Sequence, residues 1–116
     1  MRVLTMADEK LFGLFELDSS GTVLYARLEP DGMSSVPGPD ISGRNFYDEV
    51  AAFANVEEFR RRVSQFADGA SPADNFNFHC WYDGRAVPVR VLLARVRERT
   101  SLERTKSVLV HIRKGA

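Results

Sequence analysis

His79 and Cys80 stand side by side, and both residue types ligate zinc or haem iron. Adjacent residues of a strand point to opposite faces, so this pair does not converge on one ion. His111 is the only other histidine, and no further ligand stands at a telling spacing. A haem-binding sensor is kept as a third reading, while no metal site and no cofactor are expected. A nucleophilic thiol would need a base beside it. Strand alternation instead sends Cys80 inward, away from both histidines, where cysteine behaves as a small hydrophobe. Asp48 and Glu49 fall at a helix start, a place that favours acids electrostatically without any acid–base chemistry. There is no Ser-His-Asp order, phosphate loop or metal motif. The expectation is a protein that is not an enzyme.

The elements that would position these residues are legible from pattern. Leu11–Asp18 and Thr22–Leu28 read as strands joined by the turn Asp18-Ser19-Ser20-Gly21. From Glu29 to Gly43 three prolines and three glycines argue against long regular structure. Asp40, Ser42 and Asn45 can cap short helical turns there. A short helix is expected from Phe46 to Phe53. A longer one, Val56 to Ala67, is expected with Asn55 as its cap, an apolar stripe of Val56, Phe59, Val63, Phe66 and Ala67, and Gly69 as its stop. Three strands follow. Phe76 to Tyr82 puts Phe76, Phe78, Cys80 and Tyr82 on one face and Asn77, His79 and Trp81 on the other. Asp83-Gly84 signals a hairpin. Ala86 to Arg97 turns Val87, Val89, Val91 and Leu93 inward, and Ser107 to Arg113 does so with Val108, Val110 and Ile112. Strands flanking a helical block indicate an α+β fold, a five-stranded antiparallel sheet with helices over one face.

Composition narrows the function classes. The 116 residues suit one domain, with residues 1–10 as an N-terminal segment or short cap and 11–116 as the folded unit. Lys plus Arg equal Asp plus Glu at 16 each, so no net field favours nucleic acid or a membrane surface. The basic residues between Arg85 and Arg113, interrupted by Glu98 and Glu103, read as a solvated hairpin rather than a phosphate-binding patch. A single cysteine forbids an internal disulfide and suits a reducing cytoplasm. No apolar run approaches the roughly 20 residues of a membrane span.

One set of motifs is more specific than composition. Phe12-Gly13 precedes Leu17-Asp18, and Gly21 stands in the turn. Gly43-x-Asn45-Phe46, Asp48 or Glu49 beside Val50, and Glu58-Phe59 follow, then Phe76-x-Phe78 and Val89-x-Val91. In this order the chain resembles the photoactive yellow protein branch of the PAS superfamily from about Phe12 to Arg95. The resemblance implies a PAS fold, a sensory role and a pocket between helices and sheet. In that family a cysteine just after the Gly-x-Asn-Phe helix carries a thioester-linked cinnamic chromophore, and a glutamate and a tyrosine hold its phenolate. The matching positions here are Phe53, Pro30 and Ala26. A capping threonine is matched by Ser34 and a gating arginine by Val36. Phe53 has no nucleophile, and neither Pro30 nor Ala26 offers a side-chain hydrogen bond, so the family's photochemistry is excluded in this form.

The frame of the pocket is retained in Phe46, Val50, Ala51, Phe53, Cys80 and Tyr82. Either a small apolar ligand sits among them, with Tyr82 orienting it, or Phe53 fills the space. On the open side of the sheet, Trp81, Leu92, Ala94 and Leu109, with His79 and His111, form an apolar patch that needs a cover. A homodimer through this face is the expected partner, with an effector protein still unknown. The sequence therefore points to a PAS sensory or signal-transduction module that binds a small apolar ligand or works through dimer contacts. A purely structural interaction module with a filled core is the alternative.

Overall fold

The computed structural model describes residues 12–28, 41–51, 53–82, 84–97 and 105–115. The expected cap at residues 1–10, together with Leu11, Pro30, Ser34, Val36, Asp40, Asp83 and most of the loop before Ser107, lies outside them. Five strands form one antiparallel sheet: β1 (Gly13–Leu17), β2 (Val23–Leu28), β3 (Ala73–Tyr82), β4 (Arg85–Arg97) and β5 (Thr105–Lys114). Their order across the sheet is β2-β1-β5-β4-β3. The helical block sits between β2 and β3, as a wide turn at Phe46–Val50 and helix α1 at Val56–Asp68. No helix among the described residues is long and apolar enough to cross a membrane.

Period-two patterning explains the sheet. Phe78, Cys80 and Tyr82 of β3 are buried while Asn77, His79 and Trp81 are exposed. Val89, Val91 and Leu93 of β4 and Val108, Val110 and Ile112 of β5 are buried on the same side. Against them α1 lays Phe59, Val63 and Phe66, the stripe expected from its helical spacing. The β1–β2 turn is closed by Asp18, whose Oδ1 accepts from the Ser20 amide and hydroxyl and from the Thr22 amide at 2.8–2.9 Å. Burial raises the Asp18 carboxyl, but these bonds outweigh it and hold the group below its usual value.

Gly21 has φ +89° in this turn, and a Cβ there would lie 2.7 Å from the Tyr47 ring. The glycine is thus needed twice, for its backbone and for the room it leaves Tyr47. Tyr47 is placed by Asn45, whose side-chain oxygen accepts from the Tyr47 and Asp48 amides at 3.0 and 3.1 Å. The Asn45 side-chain nitrogen, Nδ2, donates to the Ser20 carbonyl at 3.0 Å. One asparagine therefore caps the wide turn and ties it to the first hairpin, as its capping chemistry led us to expect.

Asn55 behaves differently. It stands before α1, but its side chain makes no bond to the helix amides. Its Nδ2 donates to the His79 carbonyl at 2.8 Å and its Oδ1 accepts from the Trp81 amide at 3.1 Å. The expected helix cap is corrected here. β3 is an edge strand, so its outward-facing backbone groups lack a ladder partner, and a primary amide offers both a donor and an acceptor. At the other end of α1, Arg95 of β4 donates to the carbonyls of Phe66 (2.6 Å), Ala67 (3.1 Å) and Ser71 (2.9 Å). Its guanidinium also lies 4.6 Å from the centre of the Phe66 ring. The helix is clamped to the sheet at both ends.

Candidate functional site

The residues expected to frame a pocket meet in an aromatic core. Phe46, Ala51, Phe53, Cys80 and Tyr82 are buried, and Val50 is half-buried against them. Phe53 is only 3% exposed. Its ring centre lies 5.8 Å from Phe59, 5.9 Å from Tyr82 and 6.2 Å from Phe78, all with near-perpendicular or steeply inclined rings. Phe59 then connects to Phe46 at 6.2 Å, and Phe46 to Phe15 at 5.0 Å. The three contacts of Phe53 are edge-to-face, with the positive rim of one ring against the negative face of another, while the Phe46–Phe59 and Phe15–Phe46 pairs are tilted. Phe59 is the hub that links Phe46 to Phe53. The sequence placed it on the helix stripe without marking it as part of the site, because periodicity assigns a face and not a neighbour.

The outer face of the sheet does not hold its candidate residues together. Strand pairing sets Leu14 beside His111 and His111 beside Leu92, with Glu16, Leu109 and Ala94 in the next row. Leu92, Leu109 and His111 thus share one patch, in which Leu92 is 44% exposed. Tyr25 of β2, opposite Glu16 and 42% exposed, extends it. Trp81 pairs with Ala86 and His79 with Pro88. The offset from Ala86 to Leu92 along β4 is about 20 Å. Between the two groups runs a polar row in which Asn77 faces Arg90 and Arg90 faces Arg113. The single patch expected from alternation is therefore two, since alternation fixes the face but not the position along it. The same pairing puts His79 and His111 on strands separated by β4, so they cannot share an ion.

Among the described residues, two of the clefts away from the Phe53 cluster bear on function. One, of about 310 Å³, is bounded by the β1–β2 turn, Tyr47 and one side of α1, including Arg60, Val63 and Ser64. Burial pushes the Tyr47 phenol up to about 12, against the downward pull of the Arg60 guanidinium, which sits 5.3 Å from the ring centre. The other cleft, of about 410 Å³, opens at the polar row of the outer face beside Pro88 and Gly115.

No family model matches the chain. The chain is 28% identical over 90 residues to a photoactive yellow protein of Halochromatium salexigens, an alignment covering 74% of this chain and 72% of the relative. Among solved structures it is similar to the PAS domain of Bordetella pertussis BvgS, with a TM-score of 0.64 at 12% identity over 96% of this chain and 82% of that one. It is also similar to the photoactive yellow protein domain from the sensor histidine kinase Ppr of Rhodospirillum centenum, with a TM-score of 0.59 at 21% identity over 88% and 90%. Five antiparallel strands around a helical block and these likenesses agree: the chain has the PAS fold and is similar in sequence to photoactive yellow proteins.

Proposed function

We propose that this chain is a non-catalytic PAS signal-transduction module with a filled core, which transmits through contacts on the outer face of its sheet. The observation that carries the reading is Phe53. It occupies the position where the family attaches its chromophore, and three aromatic rings close around it. A thioester needs a thiol there, and Ala26 gives a phenolate no donor. A relative of similar fold is a domain of a sensor histidine kinase, which supports a place in signalling, here in the cytoplasm and ahead of an effector protein.

The contact surface we favour is the patch of Leu14, Tyr25, Leu92, Leu109 and His111, joined across a two-fold axis to a second copy. The Arg90–Arg113 row bounds it, because a two-fold contact centred on that row would oppose like charges. Trp81 and His79 then fall outside the contact. Sedimentation equilibrium tests this. Leu92→Asp should give a folded monomer and Trp81→Asp a dimer. A monomeric parent, or a dimeric Leu92→Asp, refutes the contact. The filled core is tested separately by titration with benzene. The parent should not bind it, while Phe53→Ala should, because a dry apolar cavity takes up such probes. Benzene binding by the parent would favour the small apolar ligand instead, held among Phe46, Val50, Phe53, Cys80 and Tyr82. An absorption spectrum showing only aromatic residues is expected, and a Soret band would establish the haem reading.

A further inference from the structure

Arg90 of β4 and Arg113 of β5 are directly opposed across the ladder, and Asn77 faces Arg90 from the other side. Like charges opposed in this way destabilise a sheet, so the pair needs a reason beyond folding. His79, Pro88 and Gly115 line the same cleft, while Lys114, next along β5, pairs with the buried Val89 and so sends its side chain to the opposite face. Gly115 donates its amide to the Pro88 carbonyl at 3.0 Å, and a Cβ on it would lie 2.9 Å from the Pro88 backbone.

The cleft has no acidic lining residue among those described. None of Arg90, Arg113 and Lys114 has a carboxylate partner among the described residues. Glu16, an acid on the same outer face, pairs with Leu109, four residues from Arg113 along β5. At about 14 Å it is beyond the screening length of physiological salt. Two guanidiniums, an amide and an imidazole therefore share a concave site without a counter-charge among the described residues.

We propose that this cleft is a binding site for a small phosphate monoester. Two guanidinium forks match the paired oxygens of a phosphoryl group, and together they carry the charge that balances a phosphate dianion. A bound dianion also removes the repulsion between Arg90 and Arg113. The cationic run between Arg85 and Arg113, which the sequence presents as a solvated hairpin, acquires this site only through strand register. The assignment does not depend on the outer-face dimer, whose patch begins at Leu92 and runs away from the Arg90–Arg113 row.

The test is a titration of the parent with inorganic phosphate and with glycerol phosphate, each against sodium chloride at matched ionic strength, followed by amide chemical shifts. Shifts are expected at Asn77, His79, Arg90 and Arg113–Gly115, with a Kd of about 1 mM or tighter. The Arg90→Gln, Arg113→Gln double variant should bind at least about tenfold more weakly. Without phosphate, at low salt, Arg90→Gln should melt no lower than the parent, because the opposed charges are gone. Equal responses to phosphate and chloride would mean screening alone and overturn the site. Unchanged phosphate binding by the double variant would overturn it too. Binding to phosphatidic acid vesicles without any response to the soluble phosphates would overturn the assignment of a small ligand.

Discussion

Replacing Asn55 with Asp separates two roles that the sequence cannot distinguish. At a helix N-terminus, Asp caps as well as Asn and gains from the dipole, so a capping residue would tolerate the change or improve by about 0.3–1 kcal/mol. Asn55 instead donates to the His79 carbonyl at 2.8 Å and accepts from the Trp81 amide at 3.1 Å. A carboxylate retains the second bond, loses the first and sets its charge against a carbonyl oxygen. Loss of one neutral hydrogen bond costs about 1 kcal/mol, and leaving the carbonyl against a repelling oxygen adds about 1 kcal/mol more. After the dipole gain, the net loss is about 1–2 kcal/mol, or a fall of roughly 4–10 °C in Tm for a domain of this size. Urea denaturation of the parent, Asn55→Asp and Asn55→Ala at neutral pH is the assay, with hydrogen exchange at the Trp81 amide. The loss in Asn55→Asp should shrink as the pH falls through the carboxylate range, because a protonated acid can donate to His79 again. An Asp variant as stable as the parent at neutral pH would refute the edge-strand clamp and restore the helix cap.

Gly21→Ala should cost about 2–4 kcal/mol by denaturation, combining a left-handed backbone with overpacking on Tyr47. Arg95→Met keeps an apolar stem near Phe66 but removes three bonds to carbonyls, so it should lose about 1–3 kcal/mol, with increased exchange in the last turn of α1. Tyr47 has its phenol raised from 10.0 to about 12 in the fold. Its contribution to stability is complete below pH 10 and is lost as the pH rises from 10 toward 12, because the unfolded chain releases that proton first. The loss is about 2–3 kcal/mol, and a Tyr47→Phe variant should show a correspondingly flatter alkaline stability profile.

The sequence by itself determined the strands, their inward faces and the central helix. Alternation and helical periodicity are local, and in β3, β4 and β5 every strongly inward apolar position was readable from its neighbours. It also sets Phe53, which has no nucleophilic atom whatever surrounds it, at the position that the resemblance matches to the chromophore-bearing cysteine. The closure of Phe59, Phe78 and Tyr82 around Phe53 was decided only by tertiary structure, as were the transfer of Asn55 from helix to edge strand and the clamping of α1 by Arg95. The division of the outer face by Arg90 and Arg113 belongs with these. Each depends on which residues of distant segments stand opposite one another. Alternation says which way a side chain points, but register and docking set what it meets, and those are fixed by the packing of the whole sheet.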